Sequence, residues 1–192
     1  MKEIEIEITG TTPLMHHRMP EEDLHKLLGA KTEKKKSEEI LTPRQISERH
    51  VYKNSEGFYI PMDFIIGAIK GVASDYKQKN TARKSLKSIT AGAIRPMQGE
   101  ATLLDENDKT IADFEVDLRK GTNHQKGAIA ICRPRFDRWK AKFKISVDQE
   151  IIPIKTVHEM LQDAGKRSGI GSFRVAKGGY FGQFRVTKFN EL

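Results

Sequence analysis

The chain has 192 residues, of which 31% are charged and 37% hydrophobic, a polar balance that still sets aside intrinsic disorder and allows one domain with its own core. The formal net charge of +8 favours a polyanionic partner, nucleic acid or an anionic surface. The lone Cys132 excludes an internal disulfide and a cysteine-based zinc cluster, and neither a signal peptide nor a membrane-length apolar run is present; the expectation is a soluble, cytoplasmic protein with no membrane partner.

Residues 2–9 alternate, Ile4, Ile6 and Ile8 on one face and Glu3, Glu5 and Glu7 on the other, which predicts a half-buried strand. A turn at residues 10–13 ends it. Residues 21–28 predict a short helix with Leu24, Leu27 and Leu28 on one side, residues 31–39 a charged loop, and Pro43 the start of a second short helix. Residues 52–60 read as a hairpin around Asn54-Ser55-Glu56-Gly57. Asp63 is the expected N-cap of a helix whose apolar residues, Phe64, Ile65, Ala68, Ile69, Val72 and Ala73, recur at helical spacing. Residues 77–90 are basic and weakly patterned, and residues 93–131 carry short strand-like apolar groups. Trp139, Ala141, Phe143, Ile145 and Val147 then alternate with Lys140, Lys142 and Lys144, a strand that places Trp139 in the core. Val157, Met160, Leu161 and Ala164 form an amphipathic helix ended by Gly165, and a last strand covers about residues 180–189. Stripped of insertions, this order is compatible with an α+β fold: a ferredoxin-like or RRM-like βαββαβ core with an antiparallel sheet, in one domain over residues 1–192. Residues 77–131 read as a β-rich insertion. The open sheet face of such a fold often binds single-stranded nucleic acid.

The positive charge is unevenly placed. Residues 1–50 hold nine Lys/Arg and ten Asp/Glu, so the surplus lies after residue 50. One run includes Arg83 and Lys84. A second interleaves Arg133, Arg135 and Arg138 with Phe136, a pattern in which arginines grip phosphates and a ring stacks a base. The third lies in residues 164–186, where six glycines and five basic side chains fall together. There Gly169, Gly171, Gly178 and Gly179 would bring backbone N–H groups close to phosphate, with Lys166, Arg167, Arg174 and Lys177 supplying charge. No helix follows this loop and it lacks the Walker order, so a nucleotide cofactor is not expected. His17 and His25 are the candidates for acid–base chemistry. Adjacent side chains on an extended segment point apart, so His16-His17 beside Glu21, Glu22 and Asp23 is not read as a metal site.

Three segments together resemble the RAMP superfamily, the ferredoxin-like proteins of CRISPR systems. They are the opening strand with its Thr12-Pro13-Leu14 loop, the stretch Ile60-Pro61-Met62-Asp63-Phe64-Ile65-Ile66-Gly67-Ala68-Ile69-Lys70 at the start of the first long helix, and the glycine-rich loop from Gly169 to Gly182 before the last strand. Where the family has Gly-Ser-Ser before that helix, this chain has Met62-Asp63-Phe64. The resemblance implies single-stranded RNA bound along its backbone by the glycine-rich loop and nearby basic residues. In the family's effector backbone subunits it also implies head-to-tail assembly along the RNA. A phage or bacterial relative outside a CRISPR complex fits the same architecture.

The resulting expectation is a non-enzymatic protein that binds single-stranded nucleic acid through its sugar-phosphate backbone. RNA is favoured and single-stranded DNA is the other candidate. It would act as repeated subunits along the strand or with other subunits of a ribonucleoprotein. The rival readings are a metal-independent endoribonuclease using His17 or His25, and a protein-binding module or inhibitor that acts on a nucleic-acid complex.

Overall fold

The alternation of residues 2–9 produces the central strand of the main sheet. In chain order the elements are β1 (Lys2–Gly10), β2 (Leu14–Met15), α1 (Glu21–Leu27), α2 (Pro43–Arg49), β3 (Lys53–Asn54), β4 (Gly57–Pro61), α3 (Met62–Val72), α4 (Thr90–Ala93), β5 (Ile94–Pro96), β6 (Glu100–Leu104), β7 (Glu115–Thr122), β8 (Ala128–Phe136), β9 (Lys140–Val147), α5 (Ile154–Asp163) and β10 (Phe184–Glu191). The computed structural model describes residues 1–29, 41–79, 84–122 and 127–192. The fold is mixed α+β with two antiparallel sheets. The main one runs β10–β1–β9–β6–β4–β3, with β5 also on β9; the other runs β2–β8–β7.

Burial separates the two faces of the main sheet. Ile4, Ile6 and Ile8 are fully buried with Ala141, Phe143, Ile145 and Val147 of β9. Ile65, Ile69 and Val72 of α3 and Val157, Met160 and Leu161 of α5 join the same core. Apolar burial of this kind is the main stabilising term, worth about 25 cal/mol per Å2 removed from water. Trp139 is core, as its register predicts, and its Nε1 donates to the Thr12 carbonyl at 3.0 Å. Gly10 makes room for that ring: a Cβ there would lie 2.2 Å from the Trp139 Nε1.

The opposite face pairs its own charges. Glu5 faces Lys144 and Glu7 faces Lys142 across β1 and β9. Glu7 is almost buried, with Thr187 donating to it at 2.9 Å and Lys188 at 3.2 Å. Burial alone would raise the Glu7 carboxyl; Thr187, Lys188 and Lys142 outweigh it and hold the group below its ordinary value. Lys142 also meets Asp108 at 2.8 Å.

Some local expectations differ. Asp63 lies in the first turn of α3, and Pro61 occupies the cap position without a side-chain bond. Within residues 77–131, β5 and β6 join the main sheet beside β9, while β7 and the start of β8 belong to the second sheet. Residues 180–183 belong to the glycine-rich loop, because their backbone turns back on residues 170–174 before β10 begins. α2 starts at the predicted Pro43, under a capping box of Thr42 and Gln45. The charged loop expected at residues 31–39 lies outside the described residues. No helix among the described residues is long and apolar enough to cross a membrane.

An aromatic cluster joins the two sheets. The Phe136 ring lies 5.2 Å from Phe58, 6.3 Å from Phe114 and 4.8 Å from His16. His16 is fully buried; its Nδ1 accepts from the Tyr52 amide at 3.2 Å, and its Nε2 has no partner. Burial pushes its pKa down to about 3 from an ordinary 6.5. The unfolded chain therefore takes up a proton that the folded chain refuses. This contribution to stability is fully present above pH 6.5 and is lost as pH falls towards about 3. The loss reaches about 1.4 kcal/mol per pH unit. Urea midpoints should fall between about pH 7.5 and pH 5. His16→Leu should make that dependence shallower. An equal pH slope in wild type and His16→Leu would refute the assignment.

Candidate functional site

The glycine-rich loop is built by backbone packing on backbone. After α5 the chain passes through a π-helical turn, Ala164–Ser168, and reverses. Ile170 N–H donates to the Gly182 carbonyl at 2.9 Å, Gly182 N–H to Pro13 at 2.8 Å, and Ser172 N–H to Met15 at 2.8 Å. Gly182 has φ +68°, and a Cβ there would lie 1.8 Å from the Ile170 carbonyl oxygen, so only glycine fits. These bonds tie the loop to the segment joining β1 and β2, and β2 in turn pairs with β8. The loop is thereby set against the β7–β8 hairpin.

This construction corrects the expected phosphate cradle. Gly169 N–H donates to Ala164 at 2.9 Å, Gly178 N–H to Val175 at 2.9 Å and Gly179 N–H to Arg174 at 3.1 Å. Gly169 and Gly171 are buried, and Gly179 packs against the Phe173 backbone. Gly178 alone of the four is open to solvent. The glycines shape the loop, and its side chains are what a ligand would meet.

Those side chains meet two arginines of the hairpin. Arg133 of β8 lies with its guanidinium 4.2 Å from the centre of the Phe173 ring, and its Nη1 donates to the Ser172 hydroxyl. Its buried Nε has no partner, and among the described residues no carboxylate lies within ion-pair distance of it. Arg119 of β7 grips Asp117 with two bonds, one of them 2.9 Å. Its guanidinium lies 4.7 Å from the Phe181 ring, 5.7 Å from Phe173 and 5.9 Å from Tyr180, and its Nη2 reaches the Tyr180 hydroxyl at 3.5 Å. Phe173 has φ +51°, a left-handed conformation that a bulky side chain adopts only under constraint. Tyr180 is 59% exposed and stacks on Phe181 at 4.3 Å.

The electrostatics follow from these contacts. Asp117 is buried, and the bond from Arg119 leads the effects that hold its carboxyl below the usual range. The same pair raises Arg119. Burial lowers Arg133 from its ordinary value, although a guanidinium stays charged. His17 follows β2 and is exposed at one edge, its ring 5.1 Å from His50. Burial, then Arg133 and His50, push its pKa down to about 4. His50 Nδ1 donates to the Arg18 carbonyl at 2.8 Å.

The remaining candidates divide. Phe136 is corrected: at 2% exposed it is core and cannot stack a base. Arg135 is bound by Asp137 at 2.6 Å and Asp117 at 3.5 Å, and Arg138 by Glu106 at 3.0 Å. Arg167 turns away to Asp75 at 2.5 Å and Asp163 at 3.8 Å. Lys166 and Lys177 are exposed. Arg174 donates to the Gly171 carbonyl at 3.1 Å and borders a groove of about 240 Å3 with Asp63, Gly67, Gly71 and Ser168. Lys84 is exposed after α3, and Arg83 lies outside the described residues. His25 is exposed on α1, apart from the His17–His50 pair. Among the described residues no group of three or more His, Cys, Asp or Glu is placed to hold a metal.

Sequence reasoning did not single out Arg119, Ser172, Phe173, Tyr180 or His50. The rings at 173, 180 and 181 are visible as aromatic punctuation in the glycine-rich stretch, but Arg119 joins them only through the fold. No known family model matches the chain, and no curated protein matches it significantly.

The two exposed-versus-packed glycines separate structural from surface roles. Gly178 also has positive φ, but nothing lies within 4 Å of a Cβ there. Gly178→Ala should cost about 1–2 kcal/mol, the left-handed backbone penalty alone. Gly182→Ala should cost several kcal/mol or prevent folding, because backbone would collide with backbone. Urea denaturation of both variants measures the difference.

Proposed function

We propose that the protein binds single-stranded nucleic acid, RNA before DNA, through the basic face formed by the glycine-rich loop and the β7–β8 hairpin. The observation that carries this reading is Arg133: a half-buried guanidinium layered on Phe173, without a carboxylate partner among the described residues, against the loop that also carries Arg174 and Lys177. An arginine with free donors next to aromatic rings suits phosphate and base chemistry together. The paired charges of the main sheet's polar face argue for placing the polyanion at the loop and not across the sheet.

The strand order supports a ferredoxin-like, RAMP-like core. β10, β1 and β9 are neighbours, β5 and β6 lie on the far side of β9, and all pair antiparallel. α3 links β1 to β5, and α5 links β9 to β10, the connections that βαββαβ requires. Under this reading several copies follow one strand, or the chain joins other subunits of a ribonucleoprotein.

Fluorescence anisotropy with labelled single-stranded RNA, single-stranded DNA and duplex DNA at two salt concentrations tests the proposal. Affinity should fall steeply with salt. Arg133→Ala, Arg174→Ala and Lys177→Ala should each weaken binding several-fold and lower the salt slope by about 0.7. Arg167→Ala should change little, because Asp75 and Asp163 already hold that side chain. Unchanged affinity in the first three variants, with the fold intact, refutes the interface.

A second reading rests on the His17–His50 pair beside Arg133. A neutral His17 can accept the proton of a 2′-hydroxyl, and a guanidinium can stabilise the phosphorane that follows. It predicts RNA cleavage in the presence of a chelator, lost in His17→Ala and His50→Ala. Full-length RNA on a denaturing gel after prolonged incubation dismisses it.

A further inference from the structure

Backbone contacts alone leave the most exposed ring of the interface without a role. Tyr180 presents 59% of its surface to solvent, yet it is not a loose side chain. Phe181 stacks behind it with rings 27° apart. The strand-like contact between Arg174 and Phe181, with Phe181 N–H donating to the Phe173 carbonyl at 3.2 Å, fixes the backbone on which both rings stand. Arg119 fixes the rim: Asp117 holds it by two bonds, and it touches the Tyr180 hydroxyl at 3.5 Å.

The Phe173 ring is not an equivalent platform, because the Arg133 guanidinium lies over it at 4.2 Å. Its left-handed backbone, φ +51°, marks where the constraint of the cluster is held. The result is one rigid aromatic surface facing solvent, backed by a second ring, with Arg119 at its rim and Arg133 on the neighbouring Phe173. An aliphatic or sugar ligand would use the ring and leave the cations idle. A base with its flanking phosphates uses both: its π-face on the ring, and its phosphates drawn to Arg133, the guanidinium of the cluster that no carboxylate among the described residues neutralises.

We infer that Tyr180 is the docking platform for one unpaired nucleobase of the bound strand. The inference rests on the single-strand reading and adds to it a contact with a base. It makes Tyr180 responsible for discrimination between a strand with bases and one without. Stacking is tolerant of base identity, since every base has a π-face. Base-paired strands cannot offer one without unstacking.

Two probes of equal length and charge separate the contributions: an oligouridine of about 10 nucleotides and its abasic counterpart. Wild-type protein should bind the oligouridine about 5- to 100-fold more tightly than the abasic strand. Tyr180→Ala should lower oligouridine affinity to the abasic level and leave abasic binding unchanged. Tyr180→Phe, which keeps the ring and loses the hydroxyl, should retain most of the preference. Circular dichroism and the urea midpoint confirm that both variants fold. Equal affinity of wild type for the two probes, or an unchanged ratio in Tyr180→Ala, overturns the base platform. If Arg174→Ala weakens both probes in that case, single-strand binding by the backbone still stands. If neither probe binds wild-type protein, the single-strand reading fails as well.

Discussion

Close packing of the glycine-rich loop on the segment between β1 and β2 is the constraint on which the candidate site depends. The hydrogen bonds from Gly182 to Pro13 and from Ser172 to Met15 need backbones at van der Waals distance. β2 passes that placement to β8 through its pairing with Phe136 and Arg135. Ser172, Phe173 and Tyr180 therefore stand at fixed positions relative to Arg119 and Arg133, although more than 40 residues separate Arg119 from the loop in the chain. The cost is conformational: the loop needs positive φ at several positions, and Phe173 adopts it with a full side chain.

Charge is distributed by the same geometry. The chain's +8 surplus suggests a broad basic surface, but much of its lysine and arginine is neutralised locally. Lys140 and Lys142 meet Asp108, Lys188 meets Glu7, Arg135 and Arg138 meet acids, and Arg167 bridges Asp75, past the end of α3, to Asp163 of α5. Exposed pairs of this kind contribute about 0–1 kcal/mol each to stability. Their larger effect is on where positive potential survives. Arg133, Arg174 and Lys177 meet no carboxylate among the described residues: Arg133 donates to the Ser172 hydroxyl, Arg174 to the Gly171 carbonyl, and Lys177 is exposed. A basic composition becomes a local basic patch by subtraction.

The aromatic residues divide on similar lines. Phe136 and Tyr52 pack on the buried His16, and Phe136 with Phe58 and Phe114 locks the second sheet to the first. Phe173, Tyr180 and Phe181 lie outside that core and are layered with arginines. One set excludes water and strips the histidine of its proton. The other retains water on one ring and holds cations beside it. The proposed binding of a single strand draws on the second set, while the first keeps the hairpin rigid.

Period and composition by themselves determined much of the frame. The two-residue alternation in β1 and β9 placed three isoleucines and Trp139 in the core, because a strand with one wet face has only one register that buries them. The helical spacing of Ile65, Ile69 and Val72 identified α3, and the glycines after α5 marked a tight loop. Local pattern did not reveal which residues the loop would meet. Phe136 sits among arginines in sequence and looks accessible, yet strand alternation and the packing of two sheets bury it. Arg167 looks like a phosphate ligand beside glycine, yet the π-helical turn swings it onto Asp75. Arg119, Asp117 and Tyr180 converge only when β7 folds back along β8 and the loop closes on β2. Short-range periodicity is encoded residue by residue, whereas a site assembled from three distant segments exists only after their backbones have been brought into contact.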